Sequence, residues 1–212
     1  MESETVQAIA LLLGAGWAAG INLYAAMLML GWLGLSDQTD LPPTLEILSN
    51  PMVMTAAGIM FSVEFFADKV PGMDSLWDAI HTFIRIPGGA LLAAGAAQGL
   101  DIGAAGELMG LILGGGLATT SHVRKASTRA LINTSPEPVS NWSASVNEDL
   151  AVIGGLWTAL HHPWLFIALL ILFIGLAIWL LPKIWRALRS AGRTLVSWFR
   201  KQPAADPTQP SK

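Results

Sequence analysis

Residues 164–182 read WLFIALLILFIGLAIWLLP, a run without a single charged side chain. A helix needs roughly 20 apolar residues to cross the hydrocarbon of a bilayer, and this run has that length. Working outward from it, five more apolar stretches precede it, at about 8–33, 52–67, 86–100, 106–121 and 148–160. The chain has 212 residues, 53% hydrophobic and only 13% charged, too little charge to cover a soluble domain of that size. The expected fold class is all-α, a polytopic membrane helical bundle of about six spans. There is no cysteine, which excludes disulfides, thiolate metal sites and Cys nucleophiles. The leading Met1-Glu2-Ser3-Glu4 lacks the basic start of a secretory signal, so the first apolar run is expected to stay as a span.

The connections near 34–51, 101–105 and 161–163 contain no Lys or Arg. The others hold Lys69 and Arg85, then Arg124, Lys125 and Arg129, then the bases from Lys183 onward. Six alternating spans put all twelve Lys and Arg on one side, and the positive-inside rule makes that side cytoplasmic. The expectation is a bacterial-type inner-membrane protein with both termini in the cytoplasm. Residues 1–182 form the membrane domain. The stretch 183–201, KIWRALRSAGRTLVSWFRK, mixes bases with Trp185, Leu188, Leu195, Trp198 and Phe199. It reads as a helix on an anionic leaflet, or simply as a stop-transfer anchor. The Pro-rich 202–212 reads as a disordered tail. The partners expected are the bilayer, anionic lipid and a possible second copy of the chain, with no nucleic acid.

The halves 8–100 and 106–182 look related. Gly14, Gly16, Ala18 and Asn22 recur at the same offset as Gly114, Gly116, Ala118 and His122. Each such span is followed by a Pro-containing loop and then a span with internal glycine, Gly58 in one half and Gly154-Gly155 in the other. Three spans per repeat would invert the second relative to the first. Inverted repeats with interrupted helices are a signature of secondary transporters, whose site lies between the repeats.

Polar side chains inside spans are costly and so are suspects for function. Asn22 could contact a ligand at a helix break, or could hydrogen-bond between helices. Glu64 and Asp68 stand at i and i+4, a like-charge pair suited to holding a proton, or else solvated beside Lys69. In Asp74-Ser-Leu-Trp-Asp-Ala-Ile-His-Thr-Phe-Ile-Arg85, the residues Asp74, Asp78, His81 and Arg85 share one helical face opposite Leu76, Trp77, Ile80, Phe83 and Ile84. That is an amphipathic helix at the interface or re-entering the bundle. The face could serve a metal or a proton, or its charges could just complement the helix dipole. His122, Arg124, Lys125 and Arg129 could hold a phosphate or carboxylate, or be basic anchors. Ser145 and Glu148 form an S-x-x-E pattern that reads as a capping box at the start of the fifth span, making Glu148 and Asp149 caps. His161-His162 beside Trp164 is a poor metal site. No soluble-enzyme motif is present, and no cofactor or metal is implied.

From Glu64-Phe-Phe-Ala-Asp-Lys-Val-Pro71 through Asp74–Arg85, with Gly20-Ile-Asn-Leu-Tyr24, Ser135-Pro-Glu-Pro-Val-Ser-Asn141 and Glu148-Asp149, the chain resembles a bacterial membrane protein family of unknown function. The resemblance covers about 8–182 and implies a multi-span inner-membrane protein, with no activity attached. The functional expectation therefore rests on the residues. It is a small secondary transporter or translocator of a small anionic or lipid-linked substrate. Its substrate or coupling-ion residues would be Asn22, Glu64, Asp68, Asp74, Asp78, His81, Arg85, His122, Arg124 and Lys125. A membrane-embedded enzyme acting on a lipid head group, or a non-transporting scaffold, are the alternatives.

Overall fold

The computed structural model describes residues 2–36, 39–70, 72–134 and 138–200, except the side chains of 2–3, 138 and 191–200. Six helices follow one another: α1 (Glu2–Leu35), α2 (Pro51–Ala67), α3 (Met73–Ala97), α4 (Ala104–Ile132), α5 (Pro138–His161) and α6 (Pro163–Arg200). Short 3-10 turns sit at Glu46–Ser49 and Gln98–Leu100. No strand occurs among the described residues. Three stretches, Glu4–Leu35, Met73–Leu100 and Pro163–Ser190, are long and apolar enough to cross a membrane, and Pro51–Ala67 is a shorter apolar helix. The protein is an all-α helical membrane bundle.

Polarity is turned inside out. Leu76, Ile80, Phe83 and Ile84 are exposed, whereas Asp74, Asp78, His81 and Arg85 on the opposite face of α3 are buried. In water this would be ruinous, because a bare buried charge costs several kcal/mol and an exposed apolar belt aggregates. Facing lipid, the same pattern puts hydrocarbon outside and confines charge to the interior. The amphipathic stretch 74–85 is not a separate interfacial element. It is the first half of α3, which runs through Pro87 into the expected third span.

The first span also departs from expectation. Asn22 leaves the helical region at φ −148° and ψ 100°, and its Oδ1 accepts a 2.9 Å bond from the Ala25 N–H. Extended backbone with a side-chain acceptor for the third amide beyond it is the geometry of an N-cap. α1 is thus two helices, an outgoing arm 2–21 and an arm 23–35 that turns back. Gly34 packs on Leu41, and Gly99 lies against both Ala8 and Pro42, so residue 35 returns toward the end where α1 begins.

That return changes the topology. Gly16 meets Gly114, and Gly20 meets Ala118, so the outgoing arm runs in the same direction as α4. An inverted pairing of 8–100 with 106–182 needs these two to be opposed. The Gly114–Gly116 segment, moreover, continues as regular α4 while only the first segment ends in a break. The Gln7 side chain donates to the Leu160 carbonyl at 3.0 Å. The N-terminal end therefore lies with the base-free connections 39–50, 98–103 and 161–162, and not with the basic ones. The extra reversal at Asn22 puts the start of α1 and the end of α6 at opposite ends of the bundle, where the sequence expects both at one. α5 begins at Pro138, so Ser145 and Glu148 lie well inside it and no capping box forms there. α6 continues past Lys183 to Arg200; residues 202–212 lie outside the described ones.

The middle of the bundle is closed by small residues. A Cβ on Gly16 would come within 2.6 Å of the Gly114 Cα, and one on Gly89 within 2.6 Å of the Ala118 Cβ. Small residues let backbones approach closely, which is how helices associate in lipid.

Candidate functional site

At the basic end of this seal, four helices bring charged side chains together. On α4, His122, Lys125 and Arg129 recur at helical spacing and are buried, directly above Gly114, Ala118 and Ser121 on the same face. On α3 the spacing of Asp74, Asp78, His81 and Arg85 does the same and continues into Gly89. α2 contributes Glu64 near its end and Asp68 one residue past it. α5 contributes Asn141, Ser145, Glu148 and Asp149.

The ion pairs interlock. Arg85 is 0% exposed and splits its guanidinium between Glu64 Oε1 at 2.8 Å and Asp78 Oδ1 at 2.6 Å. Lys125 Nζ reaches Asp68 Oδ2 at 2.8 Å and Glu64 Oε1 at 3.3 Å, and donates to the Ile21 carbonyl at 3.1 Å just before the α1 break. Arg129 joins Glu148 Oε2 at 2.7 Å to Asp68 Oδ2 at 3.4 Å, and donates to the Asp68 and Asn141 carbonyls. His122 sits between Arg85 Nη1 at 3.3 Å and Thr82 Oγ1 at 2.7 Å. Because arginine only donates, His122 Nδ1 is the acceptor and Nε2 carries the proton toward Thr82. Thr82 in turn donates to the Asp78 carbonyl at 3.0 Å.

Acids outnumber bases. Among the described residues, those buried are Glu64, Asp68, Asp74, Asp78, Glu148 and Asp149, six acids, against Arg85, Lys125 and Arg129, three bases. Burial is the largest influence on Asp68 and pushes it up to about 6, against the opposing pull of the Lys125 charge. Asp74 is well served: its Oδ1 accepts from the Gly72 and Ser75 N–H groups, and Asn133 Nδ2 donates to both its oxygens. Asp149 accepts one 2.9 Å bond from Asn22 Nδ2, while its Oδ2 is buried without a hydrogen-bond partner.

Of the residues singled out from the sequence, Asn22, Glu64, Asp68, Asp74, Asp78, His81, Arg85, His122 and Lys125 are buried in this region. Arg124 is not among them. It lies on the other side of α4, over the Phe173 ring at 5.3 Å. Asp74, Asp78 and His81 turn to different partners: His81 Nδ1 donates to the Trp77 carbonyl at 3.0 Å and its ring stacks on Trp77. No group of three or more His, Asp or Glu is placed to hold a metal among the described residues. Arg129, which the sequence offers as an anion ligand or an anchor, Glu148 and Asp149, which it offers as caps, and Asn141, to which it gives no role, also belong to the cluster. The signal for Arg129 was its register with His122 and Lys125; for Asp149 there was none local.

Beyond the glycine seal, at the base-free end, a cavity of about 430 Å³ opens between Glu4, Gln7, Thr39, Asp40, Pro42 and Gly99. A family model described as "Domain of unknown function (DUF4126)" matches residues 9–183. No curated protein and no solved structure matches the chain.

Proposed function

The chain belongs to this family of unknown function, and on that premise we propose that it is a small secondary transporter of the bacterial inner membrane whose coupling ion is a proton. The observation that carries the proposal is the buried ionic network of α2–α5 beside a helix interrupted at Asn22. Intramembrane charges are expensive and persist where ions or protons move, and interrupted helices mark transport sites. A surplus of acids over bases supports proton uptake, because the surplus carboxylates are more cheaply neutral than charged. The same balance argues against an anion here: Arg85, Lys125 and Arg129 are already engaged by carboxylates. The solute would enter from the cavity at the other end, where Gln7, Thr39 and Asp40 give the lining polar groups. The small-residue seal between cavity and network is the barrier that alternating access has to move. With the basic end cytoplasmic, the N-terminus is outside and the C-terminus inside, and Lys183, Arg186 and Arg189 of α6 lie at the anionic leaflet.

The test is reconstitution in liposomes with a trapped pH-sensitive dye. Pools of polar solutes are added outside under an imposed pH gradient. A subset of pools should drive proton movement that Glu64→Gln reduces at least about tenfold, by removing a charge-assisted bond at the network's centre. Folded wild-type protein that moves no proton with any pool, and exchanges no labelled solute, would overturn the proposal.

A further inference from the structure

Among the described residues, Asp149 is the buried carboxylate with the least compensation. Glu64, Asp68, Asp78 and Glu148 each have a cation within 4 Å, and Asp74 accepts bonds from two backbone amides and an asparagine. Asp149 has the single bond from Asn22, and its second oxygen is buried with no hydrogen-bond partner. The charged groups that bear on it are Lys125 from α4, Glu64 from α2, its own neighbour Glu148, and Lys69 from the turn after α2. None of the four forms an ion pair with it among the described residues. Lys69 is turned to the Phe65 carbonyl and ring instead.

Its one partner is the residue on which the first helix breaks. Asn22 uses Oδ1 to cap the returning arm 23–35 and Nδ2 to hold Asp149. The amide cannot rotate to serve a different donor–acceptor pattern without losing the cap. We propose that Asp149 carries the coupling proton and that Asn22 reads it: an ionised Asp149 clamps the hinge to α5, and a protonated Asp149 releases it. A bond to a carboxylate is roughly twice as strong as one between neutral groups, so adding the proton weakens the clamp. The released hinge frees the arm 23–35, which packs on the Glu46–Ser49 turn and on α2 through Gly31 and Gly58. This rests on the transport reading for its purpose, while the hinge response is a property of the bundle alone.

Hydrogen exchange of the full chain in nanodiscs, at pH 5 and pH 8 and corrected for intrinsic amide rates, tests it. In wild-type protein, protection of the amides of 23–28 should fall about tenfold at pH 5, the size of a lost charge-assisted bond. Asp149→Asn should show the low protection at both pH values, and Asp149→Glu should keep a pH response. Glu107→Gln, at the far end of α4, should behave as wild type. Wild-type protection that is the same at both pH values would overturn the proposal even if Asp149→Asn failed to fold. So would a response that survives in Asp149→Asn. Solute-driven proton movement in liposomes with a pH-silent hinge would sink this inference and leave transport standing; a responsive hinge without flux would do the reverse.

Discussion

Arg85 shows what one buried residue holds together. Its two terminal guanidinium nitrogens are shared between Glu64 and Asp78, so Arg85→Met takes the nearest cation from two carboxylates at once and leaves them Lys125 at 3.3 and 3.8 Å. Breaking a buried pair costs about 3–5 kcal/mol, and the purified protein in detergent should lose its cooperative melt or show it far lower. Arg85→Lys should recover only part, since an ammonium lacks the planar fork that reaches both acids; equal melts for Lys and Arg would contradict the shared-fork geometry. Asp68 gives a pH signature. With its carboxyl raised from 3.8 to about 6, its contribution is fully present below about pH 4 and is lost as pH rises through about 6. The difference is on the order of 3 kcal/mol. The melt should therefore be higher at pH 5 than at pH 7.5, and Asp68→Asn should flatten that dependence. Most of this cluster was legible, because Asp74, Asp78, His81 and Arg85 fall on one face by spacing alone. What spacing cannot give is the sign of that face, water or interior. Arg129 stays ambiguous in sequence for the same reason: a base near a span end reads as an anion ligand or as an anchor until its register with Lys125 places it inward.

At the scale of elements, two features decide the shape: the break in α1 and the glycine contacts beneath it. Asn22→Ala removes a cap worth about 1 kcal/mol and also unpairs Asp149. Its melt should fall by more than that of Asn22→Ser, which keeps a capping oxygen and sets no second carboxylate against Asp149. The two glycine segments should differ sharply by position. Gly16→Ala drives a methyl into the Gly114 backbone, and such overpacking costs about 1–3 kcal/mol. Gly116 has nothing within 4 Å of its missing Cβ. Gly116→Ala should then be neutral or stabilising by up to about 1 kcal/mol, the helix-propensity difference. Parallel melts of both variants check this, and equal effects would contradict the packing. The existence of the helices was legible from apolar run length, and three of them are long and apolar enough to cross a membrane. The reversal at Asn22 was not, since a capped turn inside an unbroken apolar run leaves no polar loop to mark it. Nor was the start of α5, where Ser145 and Glu148 imitate a cap seven residues too late.

The whole molecule is a bundle with every Lys and Arg of the described residues toward one end and an apolar belt outside. Single cysteines can be introduced cleanly because the chain has none. At Glu4 and Asp101 they should react with a membrane-impermeant reagent on intact cells, and at Arg189 only after permeabilisation. Reaction at Arg189 together with silence at Glu4 would reverse the orientation. Near that end of α6, Lys183 sits 3.1 Å above the Trp179 ring and Arg189 sits 5.1 Å from Trp185, two cation–π contacts. The link between Asn22 and Asp149 spans 127 positions of sequence, and that separation bears on how the protein is made. A ribosome delivers the hinge to the bilayer long before its partner exists. Through the synthesis of α2, α3 and α4 the first hairpin has to wait with an amide unserved, and Lys125 has to enter after the acids that receive it. The order of the genetic message thus sets an order of assembly. A chain cut short before residue 149 should leave the arm 23–35 loosely held and open to degradation in the membrane.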